Sequence, residues 1–320
     1  MPQTREHLAI LDLIGIPHGI VALTKADLAG PERRAEVTAE IRAALAGTGL
    51  ADAPIVPVSA LTGEGIETLR AALSAAEAEI AARDPAGLLR FAVDRSFTLA
   101  GAGTVVTGMM LSGRVGLDDI VTISPSGLTA RVRGIHAQNR KAAEGLAGQR
   151  CALNLAGERV TKDAIRRGDI VLAPALHAPT DRIDASLSVL ATEARAIGTW
   201  FPVRLHSHAV EAGARIVPLD GPVAPGSEGL VQLVLDRPIA ATVGDRFILR
   251  DTSASRTIGG GRFLDLRPPA RKRSTPERLA LLSAARSTHP AEAFAGLLAV
   301  APVDLAAFLP DRRLAGRALP

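Results

Sequence analysis

The spacing of apolar residues changes character once along this 320-residue chain, near Asp84-Pro85, and the change limits what each part can fold into. Before it, the apolar runs GIVALT (19–24) and APIVPVSAL (53–61) alternate with segments of helical spacing. TREHLAILDLIGI (4–16) carries Leu8, Leu11 and Ile14 on one face, with Thr4 placed as an N-cap. PERRAEVTAEIRAALAGTG (31–49) starts on Pro31 and ends in glycines, and GIETLRAALSAAEAEIAAR (65–83) is a third helix. Strands that are apolar throughout and separated by helices require a parallel sheet covered on both faces. After Pro85 the pattern becomes short strands and Gly-rich turns: FAVDRSFTL, GTVVTGMML, DIVTIS, TARVRGIHA, RCALNL and GDIVLA. That is the pattern of an antiparallel barrel or sandwich, and a second such module follows the linker Pro174–Pro179. The expected domains are 1–85, 88–174, 179–268 and a helical stretch over 269–320.

Bulk properties narrow the function classes. No apolar run is long enough to cross a bilayer, so no membrane partner is expected. A single cysteine, Cys151, cannot form an internal disulfide, which makes the cytoplasm the expected compartment and a small core role the expected one for its thiol. The net charge of +4 permits a polyanionic partner. With 7 Phe, 1 Trp and no Tyr, recognition of single-stranded RNA on a platform of stacked rings is disfavoured.

The first apolar run ends in TKAD, and the second in VSAL. In a parallel sheet, ligands bind beyond the carboxyl ends of the strands. A guanine base presents two neighbouring N–H donors, which one carboxylate can accept together, and Asp27 suits that role. Lys25 can lay its methylene stem along the base, and the Ala60 N–H can donate to the guanine O6. Taken singly, TKAD reads as a strand-to-helix turn with solvated charges. Paired with VSAL, it reads better as guanine recognition by Thr24, Lys25, Asp27, Ser59, Ala60 and Leu61. The two motifs together resemble the guanine-specificity motifs of translational GTPases, with Thr24 where those have Asn.

A phosphate-binding loop of the form Gly-x-x-x-x-Gly-Lys does not occur in the sequence. Its lysines, Lys25, Lys141, Lys162 and Lys272, each follow a residue other than glycine. The chain is therefore expected to hold the second half of such a domain, able to read a base but without parts to hold phosphates or Mg²⁺.

Three longer stretches carry a more specific resemblance: FAVDRSFTLAGAGTVVTGMMLSG, RVRGIHAQNRKAAEGLAGQRCALNLAG and DRFILRDTSASRTIGGGRFLD. They are similar to the selenocysteine-specific elongation factors of bacteria, over residues 1–280. The resemblance implies a multidomain fold, in which a partial α/β P-loop-type GTPase domain precedes two antiparallel β-barrels and the start of a winged-helix region. It implies GTP/GDP with Mg²⁺ as cofactors of the complete family member, and GTP hydrolysis as its reaction. The implied partners are selenocysteinyl-tRNA, the ribosome and a selenoprotein mRNA hairpin read by the C-terminal region, and the implied state is a monomer. It also implies a pocket for the aminoacyl group formed by Asp94 and Arg95 of VDRSF and Arg150 of GQRCAL. Without the resemblance, those three residues read as a surface ion pair and a solvated strand residue. Two alternatives stay open: a non-enzymatic tRNA-binding fragment, and a related three-domain factor that carries initiator tRNA.

Other features are expected to be structural. His206 and His208 share a strand face at a spacing that two metal ligands could use, though a solvated face beside the tRNA is the simpler expectation. Arg250, Asp251, Arg256, Arg262 and Asp265 are expected to cluster around GGG (259–261), as an ion-pair network or a tRNA contact. RPPARKR (267–273) is expected to be a charged linker, and Trp200 to pack at a barrel edge.

Overall fold

The computed structural model describes residues 2–79, 85 and 87–314 of the chain. Two compact units divide it, Met1–Ala82 and Arg83–Pro320. In the first unit, helices α1 (Pro2–Leu13), α2 (Pro31–Leu45) and α3 (Ile66–Glu79) accompany strands β1 (Val21–Leu23) and β2 (Ile55–Pro57). The strands are parallel, with Val21 opposite Ile55 and Leu23 opposite Pro57. Leu45, Leu50 and Ala53 are buried against Leu8, Leu11, Val21 and Ile41. Helix α1 already includes Pro2, so Thr4 lies inside its first turn and does not cap it. Proline suits a first turn, where its missing N–H has no intrahelical partner.

The second unit begins with a barrel module of β3 (Arg90–Leu99), β4 (Gly103–Ser112), β5 (Arg114–Gly116), β6 (Ile120–Ser124), β7 (Leu128–Ala137), β8 (Arg140–Ala142), β9 (Glu144–Leu146), β10 (Arg150–Ala156) and β11 (Ile170–Leu172), in which β5 and β9 pair apart as a two-stranded sheet. The order β10-β4-β3-β11-β6-β7 closes because β10 pairs with β7 as well as β4. Phe91, Val93, Val106, Met110, Ile123 and Leu153 fill its centre. Cys151 is also buried there, and burial pushes its thiol pKa up.

The second barrel closes β12 (Thr180–Val189), β15 (Glu228–Ile239), β14 (Val210–Pro218), β13 (Phe201–Ser207), β16 (Arg246–Arg250) and β17 (Thr257–Asp265) in that order. Phe247 and Phe263 stack at its centre with ring centroids 5.1 Å apart. The GGG run is a packing requirement of this barrel. A Cβ at Gly259 or Gly261 would lie 2.3 Å or 1.8 Å from the carbonyl oxygens of Ser188 and Ser186 on β12.

Helices α4 (Pro276–Ala285), α5 (Pro290–Leu298) and α6 (Leu305–Asp311) complete the unit. Leu282 and Ala285 of α4 pack on Leu219 and Leu264 of the second barrel. Arg278 joins α4 to that barrel by donating to Asp184, at 2.5 Å from Nη2 and 3.1 Å from Nε, and to Asp265 at 2.5 Å. Gln232 donates to Asp184 at 2.8 Å and to the Pro269 carbonyl at 3.2 Å, while Arg273 donates to Gln232 at 3.0 Å. RPPARKR is thus docked on the barrel and is not a free linker.

Where the barrels meet, Arg90 donates to both oxygens of Asp245 at 2.9 and 2.6 Å, and both side chains are almost fully buried. His208 Nε2 lies 3.3 Å from the same carboxylate. His206 and His208 therefore do not share a strand face. β13 ends at Ser207, and His208 takes a left-handed turn conformation at φ 52° that swings it toward Asp245. Among the described residues no group of His, Cys, Asp or Glu could hold a metal ion.

The expected cluster around GGG is dispersed as well. Arg256 pairs with Glu193, Asp251 accepts hydrogen bonds from Ser253 and Ser255, and Asp265 pairs with Arg278. Asp251 and Arg256 stay together, on the short loop between β16 and β17, where the Arg256 N–H donates to the Asp251 carboxylate at 3.2 Å. Trp200 is 47% exposed and lies under Arg273, with 5.9 Å from guanidinium to ring, so it is not packed into the barrel edge. No helix among the described residues is long and apolar enough to cross a membrane.

Removing one partner of a buried ion pair strands the other charge, at a cost of about 3–5 kcal/mol. Asp245→Ala should lower the unfolding free energy by that amount in urea titrations, and the double change Arg90→Met with Asp245→Leu should recover most of it. The buried carboxylate resists ionisation by desolvation, but Arg90 and His208 outweigh that and hold its folded pKa well below the usual range. Its contribution should therefore be complete above the ordinary carboxylate range, and be lost only as pH falls toward the depressed folded value.

Candidate functional sites in the α/β unit and the first barrel

The loops after β1 and β2 are brought together by the parallel register. Val58 N–H donates to Leu23 O at 2.9 Å, and Ala26 N–H returns to Val58 O at 3.1 Å. Lys25 adopts a left-handed conformation, φ 59° and ψ 37°, that turns the chain into a short 3₁₀ segment over Ala26–Leu28. A non-glycine residue held there is strained, and such strain concentrates at functional loops.

Thr24, Lys25, Asp27, Ala60 and Leu61 are all exposed. Ser59 is buried, and its hydroxyl accepts from the N–H groups of Leu61 and Thr62, both at 3.2 Å. It shapes the loop from beneath and does not itself face solvent. Among the described residues the Ala60 N–H has no acceptor, and the Asp27 carboxylate receives no donor. One open donor and one open double acceptor on adjoining loops fit the edge of a guanine base.

The sequence did not single out the tie between these loops. Arg34 of α2 donates to Glu64 at 2.6 Å, to the Ala29 carbonyl at 2.9 Å and to the Ala26 carbonyl. Its only sequence signal is an arginine one turn into the helix that comes after TKAD.

In the first barrel, Asp94 sits at a bulge. The β3–β4 register passes from Val93 opposite Gly108 to Arg95 opposite Thr107, leaving Asp94 as the extra residue. Thr107 Oγ1 donates to one Asp94 oxygen at 2.7 Å, and Arg150 Nη2 donates to the other at 2.5 Å. Partial burial pushes the Asp94 pKa up. The hydrogen bonds from Arg150 and Thr107, with the charges of Arg150 and Arg95, outweigh burial and lower it. The carboxylate is thus held ionised at neutral pH, and it orients Arg150.

Arg95 and Arg150 are both exposed, and Asp94 occupies only one nitrogen of Arg150. The remaining donors of that guanidinium, with Arg95 beside it, offer a cationic surface to a small anion. Asp94 and Arg150 are in direct contact, and the charge of Arg95 acts on Asp94. Thr107 and Gly108 were not foreseen, because a bulge depends on the partner strand.

Comparisons with known proteins give three family matches along the chain. Residues 1–78 match the elongation factor Tu GTP binding domain, residues 103–172 match elongation factor Tu domain 2, and residues 184–270 match the β-barrel domain of selenocysteine-specific elongation factor. A selenocysteine-specific elongation factor from Escherichia coli is 38% identical over 321 residues, covering 100% of this chain and 50% of the relative. One from Desulfomicrobium baculatum is 37% identical, covering 83% of this chain and 42% of the relative. The chain spans about half the length of the curated relatives it matches.

Among solved structures, a bacterial selenocysteine-specific elongation factor EF-Sec aligns with TM-score 0.80 and 26% identity over 97% of this chain and 50% of that one. Translation elongation factor SelB from Methanococcus maripaludis, bound to the GTP analogue GPPNHP, aligns with TM-score 0.73 and 26% identity over 83% of this chain and 63% of that one.

The bulge needs glycine on its partner strand, because a Cβ at Gly108 would lie 1.9 Å from the Ala92 carbonyl oxygen. Gly108→Ala should cost at least about 1–3 kcal/mol, the usual range for forcing atoms into a packed site. At Gly134 the nearest atom to an added Cβ is 3.6 Å away. Gly134→Ala should therefore change the urea midpoint little, and equal losses in the two variants would contradict this account of the bulge.

Proposed function

Because this chain belongs to the selenocysteine-specific elongation factor family, we propose that it forms part of a factor that carries selenocysteinyl-tRNA to the ribosome for incorporation at UGA codons. The observation that carries the reading is the Asp94–Arg150–Arg95 arrangement on the first barrel. A selenol is more acidic than a thiol, so esterified selenocysteine is largely a selenolate at neutral pH. The serine precursor carries a neutral hydroxyl in its place. Arg95 and Arg150 bind the anion through charged hydrogen bonds worth about 1.5–3 kcal/mol each. Such a difference amounts to roughly 10- to 150-fold discrimination. Asp94 aims Arg150, and Thr107 fixes Asp94.

Asp27 and the Ala60 N–H hold a guanine base, Lys25 and Thr24 line it, and Ser59 and Leu61 complete the loop. A bound GTP supplies the hydrolysable phosphate anhydride that such factors use. The residues present read the base alone, and no phosphate or Mg²⁺ ligand is assigned to them. The proposed compartment is the cytoplasm, and the proposed state a monomer. The mRNA hairpin is a proposed partner of a region C-terminal to the barrels.

Two measurements test the reading. Isothermal titration of GDP into the 320-residue chain should give a dissociation constant weaker than about 1 μM, since phosphate contacts dominate nucleotide affinity. Tighter binding would contradict the assignment of base recognition alone.

The pocket is tested in a chain joined to a segment carrying the phosphate-binding loop. Arg95→Ala or Arg150→Ala should weaken selenocysteinyl-tRNA by about 1.5–3 kcal/mol and seryl-tRNA far less. Lowering the pH through the selenol's pKa should reproduce part of that loss in the unaltered protein and leave seryl-tRNA unaffected. Equal weakening of both aminoacyl-tRNAs would place the arginines on the RNA backbone.

A further inference from the structure

Arg34 belongs to neither TKAD nor VSAL, yet its side chain touches the loops that carry both. Its Nε donates to the Ala29 carbonyl at 2.9 Å, and its Nη2 donates to the Ala26 carbonyl. Toward the second loop, Nη1 donates to one Glu64 oxygen at 2.6 Å and Nη2 to the other at 3.2 Å. One guanidinium therefore brackets Asp27 on the first loop and grips Glu64, beyond Ala60, on the second. Only a planar fork of N–H donors can serve these four oxygens together, since an ammonium has three donors on one atom.

On the first loop the contact answers a specific need. Lys25 is left-handed, and such a conformation persists where the surroundings over-determine it. The 3₁₀ turn supplies two bonds of its own, Leu28 N–H to Lys25 O at 3.0 Å and Ala29 N–H to Ala26 O at 3.2 Å. Arg34 adds a second donor at the Ala26 carbonyl and another at Ala29, on either side of Asp27. On the second loop, Ser59 N–H donates to the Glu64 carbonyl and Gly63 N–H to the Ser59 carbonyl, both at 3.0 Å. Gly65 closes this turn at φ 71°, where a Cβ would lie 1.9 Å from the Pro57 carbonyl oxygen. Holding Glu64 thus holds the Ser59 backbone, one residue before the open Ala60 N–H.

The side chains of Arg34 and Glu64 are 28% and 43% exposed, and ion pairs at such exposure add little stability. Their effect is geometric. Strands β1 and β2 are three residues long, and among the described residues the last backbone bond between the two loops is Ala26 N–H to Val58 O. Beyond it, Asp27 and Ala60 lie on separate tips that must meet one rigid base.

We infer that Arg34 is a positioning residue for base recognition, setting the Asp27 carboxylate and the Ala60 N–H at the spacing that guanine requires. The inference rests on the reading of these loops as a guanine site. Guanine accepts at O6 and donates from N1 and N2, so a shift of either tip costs a contact at one end of the base. The contact from the 2-amino group to Asp27 is the one at stake, because a carboxylate must lie in the ring plane to accept both donors.

The test titrates guanosine and inosine, which differ in the 2-amino group alone, into the 320-residue chain and follows amide chemical shifts. The unaltered chain should prefer guanosine by about tenfold or more, the worth of one charged hydrogen bond. Arg34→Met should lose about tenfold of that preference, with amide exchange in β1 and β2 unchanged. Arg34→Lys restores the charge without the fork, and should stay close to Arg34→Met. If Arg34→Met raises exchange throughout the unit, Glu64→Gln carries the test, since it weakens the tie and leaves both carbonyl contacts in place. No guanosine preference in the unaltered chain overturns the guanine reading and this inference with it. A preference unchanged in the variants that stay folded, or equal weakening of both nucleosides, overturns the positioning role and leaves the guanine reading standing.

Discussion

Arg90 and Asp245 meet at the seam between two barrels that have each satisfied their backbones internally. A closed barrel offers a neighbour little backbone to pair with, so the barrels must be joined through side chains. Here the join is a two-pronged guanidinium–carboxylate contact, buried to 2% and 5% side-chain exposure. Such a pair holds its geometry because breaking it strands a charge in a medium of low polarity. Other features depend on its position. Gly244 and Arg246 flank Asp245, so fixing the carboxylate also fixes the start of β16. His208 leaves its strand in a left-handed turn to reach the same oxygen.

The second barrel is also the platform for the C-terminal helices. Asp184 is fully buried on β12, and accepts from Gln232 and from Arg278 of α4. Gln232 meanwhile receives Arg182 and Arg273 and donates to the Pro269 carbonyl. The network draws the stretch after β17 onto the barrel wall before α4 begins, and Leu282 and Ala285 then bury against Leu219 and Leu264. Burial alone would permit the helix to slide. The charged contacts at Asp184 and Asp265 give it a defined register.

Both candidate sites lie where regular geometry is interrupted. Lys25 turns left-handed as β1 ends, and Asp94 is the unpaired residue of a bulge in β3. A regular strand would direct Asp94 to one face and leave Arg150, on β10, at whatever distance the pleat allowed. The bulge brings the two within a 2.5 Å hydrogen bond. Gly108 makes it possible by letting the β4 backbone approach Ala92.

Periodicity along the chain was enough to divide an α/β segment from two successive barrels, because burial repeats every two residues in a strand and every three to four in a helix. TKAD and VSAL were legible as a pair for a related reason. A strand end is a local feature, and both motifs sit at the ends of parallel strands that must be neighbours. The long barrel stretches pointed to Asp94, Arg95 and Arg150 only through resemblance, since nothing local sets a surface arginine apart from a solvated one. Contacts between distant residues were beyond the reach of sequence reading. Arg90 finds Asp245 across 155 positions, and Arg278 finds Asp184 across 94. The GGG run looked like the centre of a charged cluster, but it serves the close approach of β17 to β12. The paired histidines read as neighbours on one solvated strand face, but β13 ends at Ser207 and the left-handed turn at His208 separates them. Sequence alone determined the elements and their order, because hydrophobic burial acts through local period. The tertiary structure decided which charges meet, because Coulomb and hydrogen-bond partners are chosen by distance in space after the barrels close.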